Sequence, residues 1–380
     1  MIAPALAAAW AILMIGLSAV ARPWAKPSFV ARNALVLAPP ALFLLVAPVG
    51  ELFYWPFASL AYLPALAVAS YSTLALAGPG LRERSDWVTL AAVLTLGAAS
   101  VEIGMFLALC TGAGLLVEAA TGNGSSRRVR IAAALMPLIT AATLIAMLLH
   151  GRVSRSAEMF GDTSIYRHVG LSLWLGTVEC IHEFIRPDGS TMFAAALVKL
   201  LVFLGVRECV ARIWPATPPR GPIFALLVGL AGAAFLSAAG AYFNFGELCC
   251  ERHAAYRQAL FLLMAAAATG LWRPARARGL GPVLLALAVL ICLPSRLPAL
   301  RAEYGLAHLR AAALKTTFRS GRQPGPEPLD FVIPPTGPLL NHAMLAPGYY
   351  QLTQSLPPNI EGPMLFFGKS RMVIRKLDRR

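Results

Sequence analysis

Long apolar runs alternate with short polar segments along most of this chain. About 20 apolar residues in an α-helix cross the hydrocarbon layer of a membrane, so each run predicts a spanning helix. The runs cover 2–20, 34–49, 57–78, 87–101, 103–120, 131–149, 191–206, 221–242, 257–272 and 279–294. The fourth and fifth form one stretch too long for a single span, and we divide it at Glu102 into a tight helical hairpin. The pattern predicts an all-α polytopic membrane protein of about ten transmembrane helices.

Composition supports this fold class. The chain of 380 residues is 58% hydrophobic and only 13% charged, whereas soluble proteins carry about 25% charged residues. Disorder, a disulfide-rich secreted module and an ordinary cytosolic enzyme are therefore excluded. The net charge of +15 lies mostly in the short loops between apolar runs, so it indicates topology and membrane lipids as partners rather than nucleic acid.

Basic residues gather in every second loop, and such loops face the cytoplasm. They are Arg22, Lys26 and Arg32; Arg82 and Arg84; Arg127, Arg128 and Arg130; Arg207, Arg212 and Arg220; and Arg273, Arg276 and Arg278. The N-terminus and the tail are then expected outside, in a bacterial cytoplasmic (inner) membrane. Residues 1–21 end in a signal-peptidase-like Ala-Val-Ala, but no basic residue precedes the run, so we interpret it as a membrane helix that an earlier segment would precede.

Two domains are expected: a transmembrane domain at 1–295, with an external loop and interfacial helix at 150–190, and an external tail at 296–380. Apolar residues from 296 to 318 recur at helical spacing and predict an amphipathic helix on the outer membrane face. A Pro/Gly linker at 320–328 and three short strands at 331–333, 364–367 and 372–374 then predict a small α+β module.

Acidic residues near the predicted external loops are the first candidates for chemistry, since a charge within a membrane is costly. Glu51, Glu102 and Asp162 are the candidate catalytic carboxylates. Glu102 interrupts a very apolar run, where a carboxylate needs water, a partner or a substrate proton; a turn between helices at the surface would also satisfy it. Aromatic residues follow Glu51 in a loop without Lys or Arg and form either an interfacial belt or a substrate platform. They are Tyr54, Trp55 and Tyr62.

The external segment carries a second group of polar residues. Residues 169–184 predict a helix lying along the interface, and His182, a candidate substrate contact, shares one face with Glu179 three residues earlier. This spacing suits a metal ligand pair, but the second pair and the further carboxylates of a bundle di-metal site are missing from the sequence. The six cysteines show neither CxxC nor zinc spacing. We expect no metal site and no cofactor, although a divalent cation stays an open alternative.

A third group begins the ninth apolar run. Arg252, His253 and Arg257 lie within two helical turns of one another. Guanidinium groups clamp phosphate through paired hydrogen bonds, so these three residues are candidates for binding a lipid-linked phosphate. A salt-bridged helix start, with Glu247 and Glu251 as the partners, is the alternative.

Four segments resemble the bacterial GT-C type membrane glycosyltransferases that use polyprenyl-phosphate sugars. They are GELFYWPFASLAYLPAL at 50–66, ASVEIGMFLAL at 99–109, CCERHAAYRQALFLL at 249–263 and GPMLFFGKSRMVIRK at the end of the tail. The resemblance implies an envelope enzyme in which a carboxylate activates the acceptor hydroxyl while cations hold the leaving polyprenyl phosphate. The family's catalytic acid lies in a first external loop after an outward-going helix. Because this chain begins with an inward-going helix, the resemblance implies either a truncated copy or a relative without that acid, and leaves activity open.

Two other functions fit the same sequence. A transporter or flippase for a lipid-linked or amphipathic solute would use a similar acidic and aromatic cavity, with its polar groups near the bilayer midplane. A non-catalytic membrane assembly subunit would need no connected cavity.

Overall fold

The structure is a computed structural model, and it divides the chain into two compact units, Met1–Pro294 and Ser295–Arg380. It describes residues 56–77, 81, 83–122, 127–150, 168–185, 192–213, 220–246, 248, 251–271, 279–337, 347–352, 356 and 358–376. The predicted runs 2–20 and 34–49 lie outside these residues. Within them the chain is mostly helical.

The described part of the first unit is built from helices. They are α1 (Pro56–Ala77), α2 (Arg84–Ala98), α3 (Glu102–Thr121), α4 (Arg127–His150), α5 (Val169–Ile185), α6 (Met192–Ile213), α7 (Arg220–Phe245), α8 (Glu251–Ala268) and the first part of α9 (Gly281–Gly321). Each apolar run from 57–78 onward contains or overlaps one of these helices. The predicted helical hairpin is present, because α2 ends at Ala98 and α3 begins at Glu102 after a short turn.

Three described helical segments are long and apolar enough to cross a membrane: Glu102–Thr121, Arg127–Leu148 and Arg220–Asn244. A fourth is reached if Gly281–Pro294 and Leu297–Gly321 are counted together as one span. The described part of the chain therefore has three to four candidate membrane-spanning helices, a smaller number than the ten expected from the apolar runs. These helices are consistent with a multi-pass membrane protein.

Small residues bring α3 and α7 together at the centre of this unit. A Cβ atom added at Gly114 would lie 2.8 Å from the Cα of Ala225, and one added at Gly229 would overlap the Thr111 hydroxyl. Backbones that approach this closely gain van der Waals contact over a long interface, as small residues allow in membrane helices. Near its other end, α3 places Phe106 3.6 Å from a Cβ at Gly240. The two helices are thus antiparallel, and Glu102 lies towards the end at which α7 stops.

The second unit contains the second part of α9, a three-stranded sheet and one further helix. The strands are β1 (Leu329–Ile333), β2 (Gly348–Gln351) and β3 (Arg371–Lys376), and α10 (Pro358–Phe367) precedes β3. The strand order is β1-β3-β2, with β1 parallel and β2 antiparallel to β3. Leu329 pairs with Met372, and both side chains are buried beneath α10 around Met364.

The predictions for the tail are partly confirmed. The second part of α9 covers the expected amphipathic helix, and β1 and β3 cover two of the three expected strands. The strand predicted at 364–367 is wrong, because these residues form the last turn of α10. Gly368 ends that helix with a positive φ of 64°, a conformation that favours glycine. β2 replaces it as the third strand.

Candidate functional site

A cluster of polar side chains lies at the end of the first unit where α7 stops and α8 begins. We call it the α8 cluster, because four of its members follow one another along the first half of that helix. Tyr62 from α1, Glu183 from α5 and Lys199 from α6 join them. The members are Tyr62, Glu183, Lys199, His253, Tyr256, Arg257 and Gln258.

Arg257 and Glu183 form the centre of the α8 cluster. Arg257 is 1% exposed, and its Nε and Nη2 donate to Oε2 and Oε1 of Glu183 at 2.5 Å each. Gln258 Nε2 donates to the Glu183 backbone carbonyl at 2.7 Å, which fixes the end of α5 against α8. This two-pronged geometry satisfies the carboxylate and orients the guanidinium. Arg257 Nη1 is also buried and has no hydrogen-bond partner within the described part of the chain.

Tyr62 and His253 form the second contact of the cluster. The Tyr62 hydroxyl lies 2.5 Å from His253 Nε2, and the two ring centroids are 5.4 Å apart. Tyr62 also meets the ring of Tyr256 edge-on at 6.4 Å. One face of α8 carries His253 and, three and four positions later, Tyr256 and Arg257. This face therefore contacts α1 through Tyr62 and α5 through the ion pair with Glu183.

Lys199 extends the cluster towards the middle of the helices. Its Nζ lies 5.6 Å from the centroid of the Phe261 ring, and the ammonium interacts electrostatically with the Glu183 carboxylate. Phe261 is one turn beyond Arg257 on α8. Lys199 thus adds a second positive charge to the surroundings of Glu183, beside the direct ion pair with Arg257.

The face that α5 turns inward explains how Glu183 reaches α8. Ser172, Gly176 and Glu183 are inward on α5, and a Cβ added at Gly176 would lie 2.8 Å from the Cα of Ala239 on α7. Most of the exposed residues are large and apolar: Val169, Leu171, Leu173, Trp174, Val178 and Ile181. Thr177 and His182 are also exposed. A helix that buries Ser172 and Glu183 and exposes mainly apolar side chains suits a protein surrounded by lipid, where the surroundings are the apolar phase. The interfacial position expected for this segment stays a prediction.

The structure brings together three of the predicted site residues and separates others. Tyr62, His253 and Arg257 meet in the α8 cluster, but Arg257 is a buried ion-pair partner rather than an open phosphate clamp. The partner is Glu183, whereas the sequence suggested Glu247 and Glu251. His182 is exposed, and its Nδ1 lies 3.8 Å from Glu179 Oε1.

Glu102 is the one candidate catalytic carboxylate among the described residues. It begins α3 and is exposed, and a negative charge at the start of a helix is stabilised by the helix dipole. The turn between helices thus accounts for a carboxylate within an apolar run. Arg252 lies on the first turn of α8. Glu51, Tyr54, Trp55 and Asp162 lie outside the described residues.

Sequence reasoning missed the contacts of Gln258 and Tyr256. Both side chains are buried. The Tyr256 hydroxyl has no hydrogen-bond partner among the described residues. Their position after Arg252 and His253 in an apolar run was the available signal. Among the described residues, no three His, Cys, Asp or Glu side chains are grouped as a metal ion would require.

Comparisons of the chain with known protein families, with curated proteins and with solved structures found no match.

Proposed function

We propose that this protein is a GT-C-like membrane glycosyltransferase that uses a polyprenyl-phosphate-linked sugar at the outer face of a bacterial cytoplasmic membrane. The observation that carries the proposal is the α8 cluster, with its buried ion pair Glu183–Arg257 beside the Tyr62–His253 pair. Ionisable groups among membrane helices are costly and are retained mainly where they bind or move something polar.

Arg257 is suited to recognise a phosphate. Glu183 holds the guanidinium in one orientation, and Nη1 is the nitrogen left to donate to a phosphate oxygen. A cation that is already oriented loses little further freedom when its ligand arrives, which favours affinity and transition-state stabilisation. His253 on the same face of α8 and Tyr62, which reaches it from α1, supply further hydrogen-bonding groups. Arg252 precedes His253 by one residue.

In the proposed reaction an acceptor hydroxyl attacks the anomeric carbon of the sugar. The bond between that carbon and the phosphate oxygen breaks, and polyprenyl phosphate leaves with the electron pair while a carboxylate takes the hydroxyl proton. Glu102, the first residue of α3, is the candidate for this carboxylate among the described residues. Glu51 and Asp162 are the other two candidates. Arg257 would stabilise the charge that develops on the leaving phosphate.

The position of Arg257 along α8 gives the depth of the cluster. Arg257 is the seventh residue of α8 and lies about 9 Å from the start of the helix at 1.5 Å per residue. That position is one third of the way along the 18-residue helix, so Arg257 lies about 4 Å from the middle of α8 and about 9 Å from its start, a depth that a transporter site would share. The proposal includes the ten spans and the outward orientation of this end, which the basic loops predict.

Binding of a polyprenyl phosphate to the purified full-length protein in detergent tests the proposal. The variant Glu183→Met/Arg257→Met removes both charges together, so that neither is left buried without its partner. We expect saturable binding by the wild type and at least about 30-fold weaker binding by this variant, equivalent to about 2 kcal/mol.

The matched control is Glu118→Met/Arg130→Met, which removes a second ion pair near the opposite end of α3. Its affinity for polyprenyl phosphate should equal that of the wild type. If the wild type does not bind, or if both double variants lose affinity equally, the glycosyltransferase proposal fails and a transporter or an assembly subunit takes its place.

A further inference from the structure

The second part of α9, Leu297–Gly321, turns its polar side towards the sheet of its own unit. Glu303 and Arg310 are buried and form an ion pair, and Arg310 Nε also donates to the Pro335 carbonyl at 3.1 Å. Two turns further, the Thr317 hydroxyl accepts from the Val332 backbone N–H at 3.0 Å. The polar side of this helix is therefore occupied by contacts within the unit.

The apolar side of the same helix is exposed. Seven residues at helical spacing form what we call the α9 stripe: Leu297, Leu300, Tyr304, Ala307, Ala311, Leu314 and Phe318. Tyr304 at its centre is 85% exposed. From Leu297 to Phe318 the stripe is about 32 Å long at 1.5 Å per residue. A continuous apolar surface of this length on a folded unit indicates a contact surface.

Aromatic residues of α10 continue the stripe at one end. The Phe318 ring meets the rings of Phe366 and Phe367 edge-on, with centroids 6.5 and 5.3 Å apart. Phe366 is 71% exposed and Leu365 beside it is also exposed. The apolar surface therefore joins two elements of the second unit.

The charged residues beside the stripe indicate which kind of surface it contacts. Arg301, His308, Lys315 and Arg319 are exposed at spacings of seven, seven and four residues, which places them in one row about 80° around the helix from the stripe. The only acid between Leu297 and Gly321 is Glu303, which is buried against Arg310. An apolar stripe with a basic row beside it matches the boundary between the acyl chains and anionic headgroups of a bilayer.

We propose that the α9 stripe and the exposed end of α10 dock this unit onto an anionic lipid surface, with the stripe in the acyl boundary and the basic row among the headgroups. A second copy of the chain would bring two basic rows together, which charge repulsion disfavours. The proposal is independent of sugar transfer.

Photo-cross-linking of the full chain in lipid nanodiscs tests this docking. Benzoylphenylalanine replaces Tyr304 in one sample and Gly305 in the matched control, where an added side chain meets nothing within 4 Å. The two sites are adjacent in sequence but lie about 100° apart around the helix. With phosphatidylglycerol in the nanodisc, we expect lipid adducts at 304 and few or none at 305. Protein dimers linked through 304, or an absence of lipid adducts there, would overturn the proposal.

The basic row is tested in the same assay with Lys315→Glu/Arg319→Glu. Adduct yield at 304 should fall about three-fold or more in nanodiscs that contain phosphatidylglycerol, and should change little in phosphatidylcholine alone. Equal yields from the wild type and this variant in the anionic nanodisc would contradict the role of the row.

Discussion

The buried pair Glu183–Arg257 should dominate the stability of the α8 end of the helical unit. Replacing Arg257 by Met leaves a carboxylate that has lost two donors at 2.5 Å, and breaking a buried ion pair on one side costs about 3–5 kcal/mol. Glu183→Met should cost more than Arg257→Met, because Lys199 also interacts with that carboxylate. The double variant should lose less than either single one, since two apolar side chains are readily accommodated there.

A double-mutant cycle measures this coupling. The free energy of unfolding of each purified variant is measured by titration with SDS. The control cycle is Glu118→Met with Arg130→Met, a single 2.8 Å contact whose side chains are 14% and 18% exposed. Partial hydration and one hydrogen bond should limit its coupling to about 1 kcal/mol. We expect about 2 kcal/mol or more for Glu183–Arg257. Couplings of equal size, or a double variant less stable than both singles, would refute the reasoning.

Three further predictions test packing and hydrogen bonding. Gly229→Ala should lower stability by about 1–3 kcal/mol because its Cβ would overlap Thr111, whereas Gly240→Ala, with Phe106 at 3.6 Å, should change little; size-exclusion chromatography after heating compares them. Tyr62→Phe should lower stability by about 1 kcal/mol in the SDS titration, since it removes the hydrogen bond to His253 but keeps the ring contacts. Arg375→Met should cost at most about 1 kcal/mol by the same titration, because its pair with Asp330 is partly exposed.

Apolar runs located the helices because each helix satisfies its own backbone hydrogen bonds and needs only a long apolar segment. The break at Glu102 was predictable for a related reason, since a run of that length does not fit one membrane crossing. The short apolar segment at 364–367 was assigned to a strand and is helical. Four residues are too few for the repeat of apolar positions to separate a helix from a strand.

The partners within the site were harder to predict because they are distant in sequence. Tyr62 and His253 were both candidates, but 191 positions separate them. Glu183 lies 74 positions before Arg257, whereas nearby acids such as Glu251 were the natural expectation for a salt-bridged helix start. Local spacing determines which residues share a helix face, and it carries no information about which distant helix packs against that face.

The direction in which polar residues point was nevertheless available from the sequence. On α5 the inward residues Ser172, Gly176 and Glu183 recur at helical spacing, while most of the exposed residues are larger and apolar. In a protein surrounded by lipid the apolar stripe marks the outside of a helix, so polar and small positions mark the contact face.

The residues beside an exposed apolar stripe then indicate which lipid environment the stripe contacts, the acyl chains or the headgroup boundary. The stripe on α5 includes Leu173, Trp174 and Val178 without a basic row beside it, which suits contact with acyl chains. The stripe on α9 runs beside Arg301, Lys315 and Arg319, and guanidinium and ammonium groups stay near headgroups and water. Applied to both helices, this criterion predicts Glu183 as an inward partner and the second part of α9 as a surface helix, each from residues within a single segment.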